Sequence, residues 1–180
     1  MKLFQEELDT AINNTNSSMK NIIGELLNEM KLTVSTIESF TTGQLATELS
    51  NIPNSSNFFL GGFICNHPLA YINYCGIPLN IFKNCSPNSD NFIKTLVNSI
   101  QKKTKADICI ATTGQMSHTN NNHKGLAKIG LIVKNVNKIK KFSLHGSKES
   151  ILYNTSFACL GILHQILKNM SINNRKENKL

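Results

Sequence analysis

Apolar positions along the chain alternate between helical and strand spacing. Phe4, Leu8, Ala11 and Ile12 recur at helical intervals, and the run Asn13–Ser18 then interrupts with residues that favour turns and caps. Residues 1–17 therefore read as an appendage, with Ser17 or Ser18 able to cap the next helix. Met19, Ile22, Ile23, Leu26, Leu27 and Met30 give that helix one apolar face. Leu32–Ile37 is short and β-branched and predicts a strand, followed by a turn over Glu38–Gly43 and a helix over Gln44–Leu49. Asn51–Ser56 reads as a loop and Phe58–Cys65 as a second strand. Its glycines, Gly61 and Gly62, predict a bulge or a close backbone approach. Pro68–Tyr74 predicts a short helix that starts on proline and ends before Gly76.

Phe92, Leu96, Val97 and Ile100 mark a further amphipathic helix, and Ala106–Thr112 is apolar enough for a central strand. The polar stretch Thr113–Lys124, with His118 and His123, predicts a loop. Leu126–Val133 and Ile139–Leu144 predict a hairpin turned at Lys134–Asn137. A long closing helix runs from Ile151 to Met170, and residues 173–180 form a basic tail. The order of elements predicts an α/β protein, three-layer α/β/α, with a mixed sheet of about five strands. One domain over residues 18–172 is expected, flanked by the appendage and the tail.

Composition narrows the class. The 180 residues suffice for one core without staples, and 40% hydrophobic with 17% charged residues reads as globular rather than disordered. Acidic residues occupy the start, where a signal peptide needs an apolar run, and Phe58–Cys65 is too short to span a bilayer; both point to the cytoplasm and to no membrane partner. The 5 cysteines form no C-x-x-C pair and read as reduced, small apolar residues. No metal and no cofactor is expected, since His118 and His123 lack a third ligand. The net charge of +8 raises the question of nucleic acid. The basic run Lys138, Lys140 and Lys141 has no interleaved aromatic residues, however, and reads as a solvated strand edge.

Candidate chemistry lies where strands end. In Glu38-Ser-Phe-Thr-Thr-Gly43 a strand gives way to a helix, which exposes a hydroxyl at the carboxyl edge of the sheet. The amides of Thr41, Thr42 and Gly43 are candidates to face an anion or oxyanion. Thr112-Thr113-Gly114-Gln115 follows another strand and falls at the same edge. A cap in the first case and a plain strand end in the second explain both locally.

The order of motifs resembles the CinA C-terminal-domain family, whose nicotinamide-mononucleotide deamidases are also called PncC. The family's T-A-E-S-C-T-G-G reads here Thr36-Ile-Glu-Ser-Phe-Thr-Thr-Gly43. Its P-G-S-S-x-x-F-x-G-G segment begins at Pro53, L-G-V-P is Cys75-Gly-Ile-Pro78, and the A-D strand ending in T-G runs from Ala106 to Gly114. The G-T-V strand opens at Gly125, and the turn into the last helix is Leu144-His-Gly-Ser-Lys148. The resemblance implies a stand-alone CinA-type domain and an amidohydrolase releasing ammonia from the nicotinamide mononucleotide carboxamide; the apolar stripe Phe4, Leu8, Ala11 and Ile12 is expected to pack against a second subunit, giving a homo-oligomer, or against the closing helix. It implies Ser39 as nucleophile, Thr113 lining the pocket, and substrate contacts from Glu38, Thr41, Thr42, Gly43, Ser56, Gly114 and Lys148. The family's lysine base is replaced by Tyr71, with His67 one turn earlier as the substitute by intrinsic pKa. The tyrosine of the Y-S-N stretch is Asn66, the G-I-A-G-P loop is Gly114–His118, and the arginine near the last helix is Lys148. Four departures around one pocket imply a changed substrate or a catalytically inactive descendant that binds a ligand or a partner protein.

Overall fold

The computed structural model describes residues 2–177 apart from 87, 120–121 and 135, with side chains over 15–176 apart from 83, 119–122 and 136. The chain order is α1 (Lys2–Glu29), β1 (Val34–Glu38), α2 (Gln44–Ser50), a 3-10 turn (Ser55–Asn57), β2 (Phe59–Ile64), α3 (Pro68–Cys75), α4 (Leu79–Asn84), α5 (Asp90–Thr104), β3 (Ile108–Thr119), β4 (Asn122–Val133), β5 (Val136–Gly146) and α6 (Lys148–Glu177). The five strands form one sheet in the order β2-β1-β3-β4-β5. β1 pairs in parallel with β2 and β3, and β3, β4 and β5 run antiparallel. The mixed α/β sheet predicted by the alternation is present.

Strand alternation sorts the two layers that cover the sheet. Val34, Ile108, Ile110, Ile129 and Leu131 meet Ile23 and Leu27 of α1, Leu45 and Leu49 of α2, and Leu160, Leu163 and Leu167 of α6. On the other face Ile37, Cys109, Ala111 and Ile132 meet Tyr71 and Cys75 of α3 and Phe92, Ile93, Leu96, Val97 and Ile100 of α5. Helix α6 is long and apolar enough to cross a membrane by length and composition, but here it supplies buried side chains along the first face. The bulge expected at the paired glycines is a register shift between Val34 and Ser35. Gly62 passes so close to Thr36 that an added Cβ would lie 2.2 Å from its Oγ1.

Three expectations are corrected. Asn13–Ser18 does not interrupt the first helix, which runs unbroken from Lys2 to Glu29. Tertiary contact overrides the local preference there: Asn16 is buried and its amide donates to the Tyr153 hydroxyl of α6 at 2.9 Å. The side chains of Phe4, Leu8, Ala11 and Ile12 lie outside the described residues. The expected loop 113–124 is a β-ribbon, with pairs continuous from Thr113↔Lys128 to Thr119↔Asn122. Its polarity follows from exposure along this stretch, where Gln115, Ser117, His118, Lys124 and Leu126 are all exposed. The closing helix continues to Glu177, so most of the expected tail is helical, and residues 178–180 lie outside the described residues.

Candidate functional site

β1 ends on two adjacent residues that point to opposite faces. Glu38 turns toward α2 and is fully buried. Its Oε2 accepts from the Thr41 hydroxyl at 2.6 Å and from the amides of Gly43 at 2.9 Å and Leu45 at 3.1 Å. Its Oε1 accepts from the Ala46 amide at 2.7 Å and, at 3.4 Å, from the Thr36 hydroxyl. The carboxylate thus satisfies amides at the start of α2 that would otherwise lack partners. Thr41 is likewise buried, and its hydroxyl lies 2.7 Å from that of Thr112. Among the residues expected to contact substrate, Glu38, Thr41 and Gly43 therefore build the turn. Thr42 is exposed, with φ 50, where the resembling signature has glycine.

Phe40 and Gly114 also belong to the α2/α6 side. An added Cβ at Gly114 would lie 2.4 Å from Phe40 Cδ2 and 2.7 Å from the Leu126 carbonyl oxygen. The glycine is needed so that the Phe40 ring can lie against the strand, which gives Gly114 a packing role. Ser56 sits before β2, whose Phe59 pairs with Val34 at the start of β1, so it occupies the opposite end of the sheet from Ser39. Lys148 opens α6 after β5, and three residues further on Ile151 packs in one cluster with Phe40, the neighbour of Ser39. Ser56 does not join the residues around Ser39.

The α3/α5 face gathers the rest. The Ser39 and Phe40 amides both reach the Thr112 carbonyl, at 3.0 and 3.4 Å, extending the β1–β3 register so that Ser39 falls beside Thr113. Tyr71 of α3 packs against Phe82 and Phe92, with ring centroids 5.5 and 5.7 Å away, and its phenol meets the Ser39 hydroxyl. Burial pushes the Tyr71 pKa up to about 12, against the smaller lowering effect of Ser39. At pH 7 roughly one phenol in 10⁵ is then ionised, since each pH unit is a factor of ten. His67 is the N-cap of α3; its Nδ1 accepts from the Leu69 amide at 3.2 Å and is committed there. Cys65 and Cys75 approach to 3.4 Å beside Tyr71, both as free thiols raised by burial, Cys75 to about 12.

Thr113 is 2% exposed, and its Oγ1 has no hydrogen-bond partner among the described residues. Directly opposite it on β4 stands Lys128, a residue that sequence reasoning does not single out. Lys128 is 6% exposed; its ammonium donates to the Asp90 carboxylate at 2.5 Å and to the Asn88 carbonyl. Lys141 of β5, the register partner of Lys128, reaches the same carboxylate at 3.2 Å. Together these lysines hold the Asp90 carboxyl below the usual carboxylate range. Ser39, Thr113 and Lys128 thus form a row across three strands on one face. The signal in the sequence is a lone lysine inside the apolar run Leu126–Val133. On the hairpin, His118 and His123 face one another with centroids 4.6 Å apart; among the described residues no third metal ligand joins them.

A sequence profile of the CinA C-terminal domain matches residues 16–167. The chain belongs to the CinA C-terminal-domain family. A CinA-like protein of a Sulfurihydrogenibium species is 31% identical over 147 residues, covering 79% of this chain and 37% of that protein. A CinA-like protein of Flavobacterium psychrophilum is 30% identical over 156 residues, covering 83% of this chain and 37% of that protein. The chain thus spans under two fifths of the length of the curated relatives it matches. The fold is that of competence damage-inducible protein A from Klebsiella pneumoniae, with TM-score 0.77 and 18% identity over 85% of this chain and 97% of that one. The competence or damage-inducible protein from Enterobacter asburiae gives TM-score 0.75 at 17% identity, covering 84% and 98%.

Proposed function

We propose that this CinA domain binds a small amide or nucleotide ligand along the row Ser39, Thr113 and Lys128, and that it is a poor catalyst or none at neutral pH. The observation that carries this reading is Tyr71. Where the resembling deamidases have a lysine base, a buried phenol raised to about 12 meets the Ser39 hydroxyl. It cannot take the serine proton at neutral pH, and a serine without a base is a weak nucleophile. His67 does not make good the loss, because its Nδ1 caps α3.

The competing reading is an active amidohydrolase on nicotinamide mononucleotide, with Ser39 attacking the carboxamide and ammonia leaving. It is favoured by the contact between the Tyr71 phenol and the Ser39 hydroxyl and by the neighbouring Thr113. Ammonia release from nicotinamide mononucleotide, with Ser39→Ala as control, decides between the two. The expected result is binding by calorimetry with turnover at least about 10²–10⁴-fold below a base-assisted enzyme. A Ser39-dependent turnover of about 10 s⁻¹, typical of enzymes, would establish the amidohydrolase instead. Tyr71→Lys supplies the sharper arm: an amine in this buried setting is held neutral at physiological pH and should raise any Ser39-dependent turnover.

A further inference from the structure

The row of residues ends in a feature that the Ser39 chemistry does not use. Lys128 puts an ammonium into the stretch of β4 formed by Ala127, Ile129, Gly130, Leu131 and Ile132, at 6% exposure. An apolar side chain would pack there without desolvating a charge. Two of the three ammonium donors go to Asp90 and the Asn88 carbonyl, and the third has no partner among the described residues. Beside it lie two buried polar atoms likewise without a partner, Thr113 Oγ1 and Asn88 Oδ1. Asn88, Leu126, Ala127, Lys128 and Lys141 line a cavity of about 120 Å³. Lys128, Lys141 and Asp90 together carry one net positive charge, and Asp90 is 57% exposed on its side chain, free to swing into water.

We infer that Lys128, with Thr113 and Lys141, forms a subsite for the oxyanion of the ligand, a phosphate monoester or similar group. Two strand spacings of about 4.8 Å put it roughly 10 Å along the sheet from Ser39. An incoming oxyanion accepts hydrogen bonds from the ammonium's remaining N–H and from the Thr113 hydroxyl, and it competes with Asp90 for the lysines. The inference rests on the proposed function only for the identity of the ligand; the anion subsite is testable by itself.

The probe is inorganic phosphate, titrated at low ionic strength into the full chain. Lys128→Met should weaken binding about tenfold or more, as loss of one charge-assisted hydrogen bond implies. Lys141→Met should weaken it about two- to threefold, being exposed. Thr113→Val discriminates best: removing an unpartnered buried hydroxyl should raise the melting temperature while lowering phosphate affinity. A merely structural threonine would move only the first. Asp90→Asn should tighten binding, because the competing carboxylate is gone, and these two variants carry the test if Lys128→Met fails to fold. Absence of phosphate binding to the wild type, or unchanged binding in Lys128→Met and Thr113→Val, overturns the subsite. Nicotinamide mononucleotide and its phosphate-free riboside separate the two claims. Lys128-dependent phosphate binding without nucleotide binding upholds the subsite and sinks the proposed ligand. Nucleotide binding or turnover indifferent to Lys128→Met does the reverse.

Discussion

Glu38 and Ser39 are neighbours in the chain, yet they serve two regions built on different terms. On the α2 side each acceptor oxygen of Glu38 is matched by donors of its own turn, and water is excluded. On the α3/α5 side Ser39 is half-buried, and among the described residues neither Thr113 Oγ1 nor the third N–H of Lys128 has a partner. A saturated network fixes a backbone; an unsaturated one is a place for a ligand. The same strand end therefore supplies rigidity on one face and unsatisfied polar groups on the other, and the carboxylate that resembles a site residue is what holds the turn that carries the serine.

The contrast between the faces breaks most decisively at Glu38. Glu38→Ala leaves the buried amides of Leu45 and Ala46 and the Thr41 hydroxyl without their acceptor, and it should cost about 3–5 kcal/mol by chemical denaturation. Ser39→Ala, one residue away, should cost only about 1 kcal/mol, since it removes one half-buried hydroxyl and with it a single contact of the Tyr71 phenol. Equal losses at the two positions would abolish the distinction between the faces. Gly114→Ala comes next. Its Cβ meets the Phe40 ring and a backbone oxygen, so a loss of about 1–3 kcal/mol is expected, with the ring displaced. If Gly114→Ala instead leaves stability intact and abolishes ligand binding, the glycine belongs to the site after all.

Much of this architecture is legible in the sequence, and the exceptions have identifiable causes. Helix and strand periods locate the layers because both faces of the sheet are buried against amphipathic helices such as α5, whose Phe92, Leu96, Val97 and Ile100 all point inward. The β-ribbon of β3 and β4 escapes a reading by pattern because its hydrogen bonds are backbone ones, to which exposed residues such as Gln115 and Ser117 give no signal. Lys128 escapes it because the surrounding residues are apolar and the run reads as uniform; its significance depends on Asp90, 38 positions away in sequence. Ser56 is grouped with Ser39 by resemblance alone, and strand direction separates the two. The Glu38 role is hidden because three of its five donors are main-chain amides, which every sequence contains.

A smaller effect tests the open face through pH. The Tyr71 pKa is raised from 10.0 to about 12 in the folded chain, so the folded state favours the neutral phenol. Its contribution is fully present below pH 10 and is lost as pH rises through about 12. Wild type should lose about 1–2 kcal/mol from this group across that window. Cys75, also raised to about 12, titrates in the same range, so wild type must be set against Tyr71→Phe rather than against neutral pH alone. The Phe variant should show a flatter alkaline limb. An identical limb would mean that the phenol is not desolvated, and burial would then not be what keeps Tyr71 from acting as a base.

The smallest effect lies in the turn that joins the two faces. Thr42 is β-branched and adopts φ 50, while Gly43 beside it adopts φ 95. A left-handed conformation costs an ordinary L-residue roughly 1–2 kcal/mol, more when the side chain is branched at Cβ. Glycine removes that cost but loses about 0.5–1 kcal/mol through the greater freedom of the unfolded chain. Thr42→Gly should therefore stabilise the protein by a net of roughly 0.5–1 kcal/mol. The Thr42 side chain is exposed, and no hydrogen bond of the Glu38 network involves it, so nothing else is lost. If the turn serves only to anchor Ser39, phosphate and nucleotide affinities should be unchanged in this variant. A stabilised Thr42→Gly protein that binds ligand less well would show that the strained threonine holds the serine at a particular angle, and the two faces would then be coupled through their shared turn.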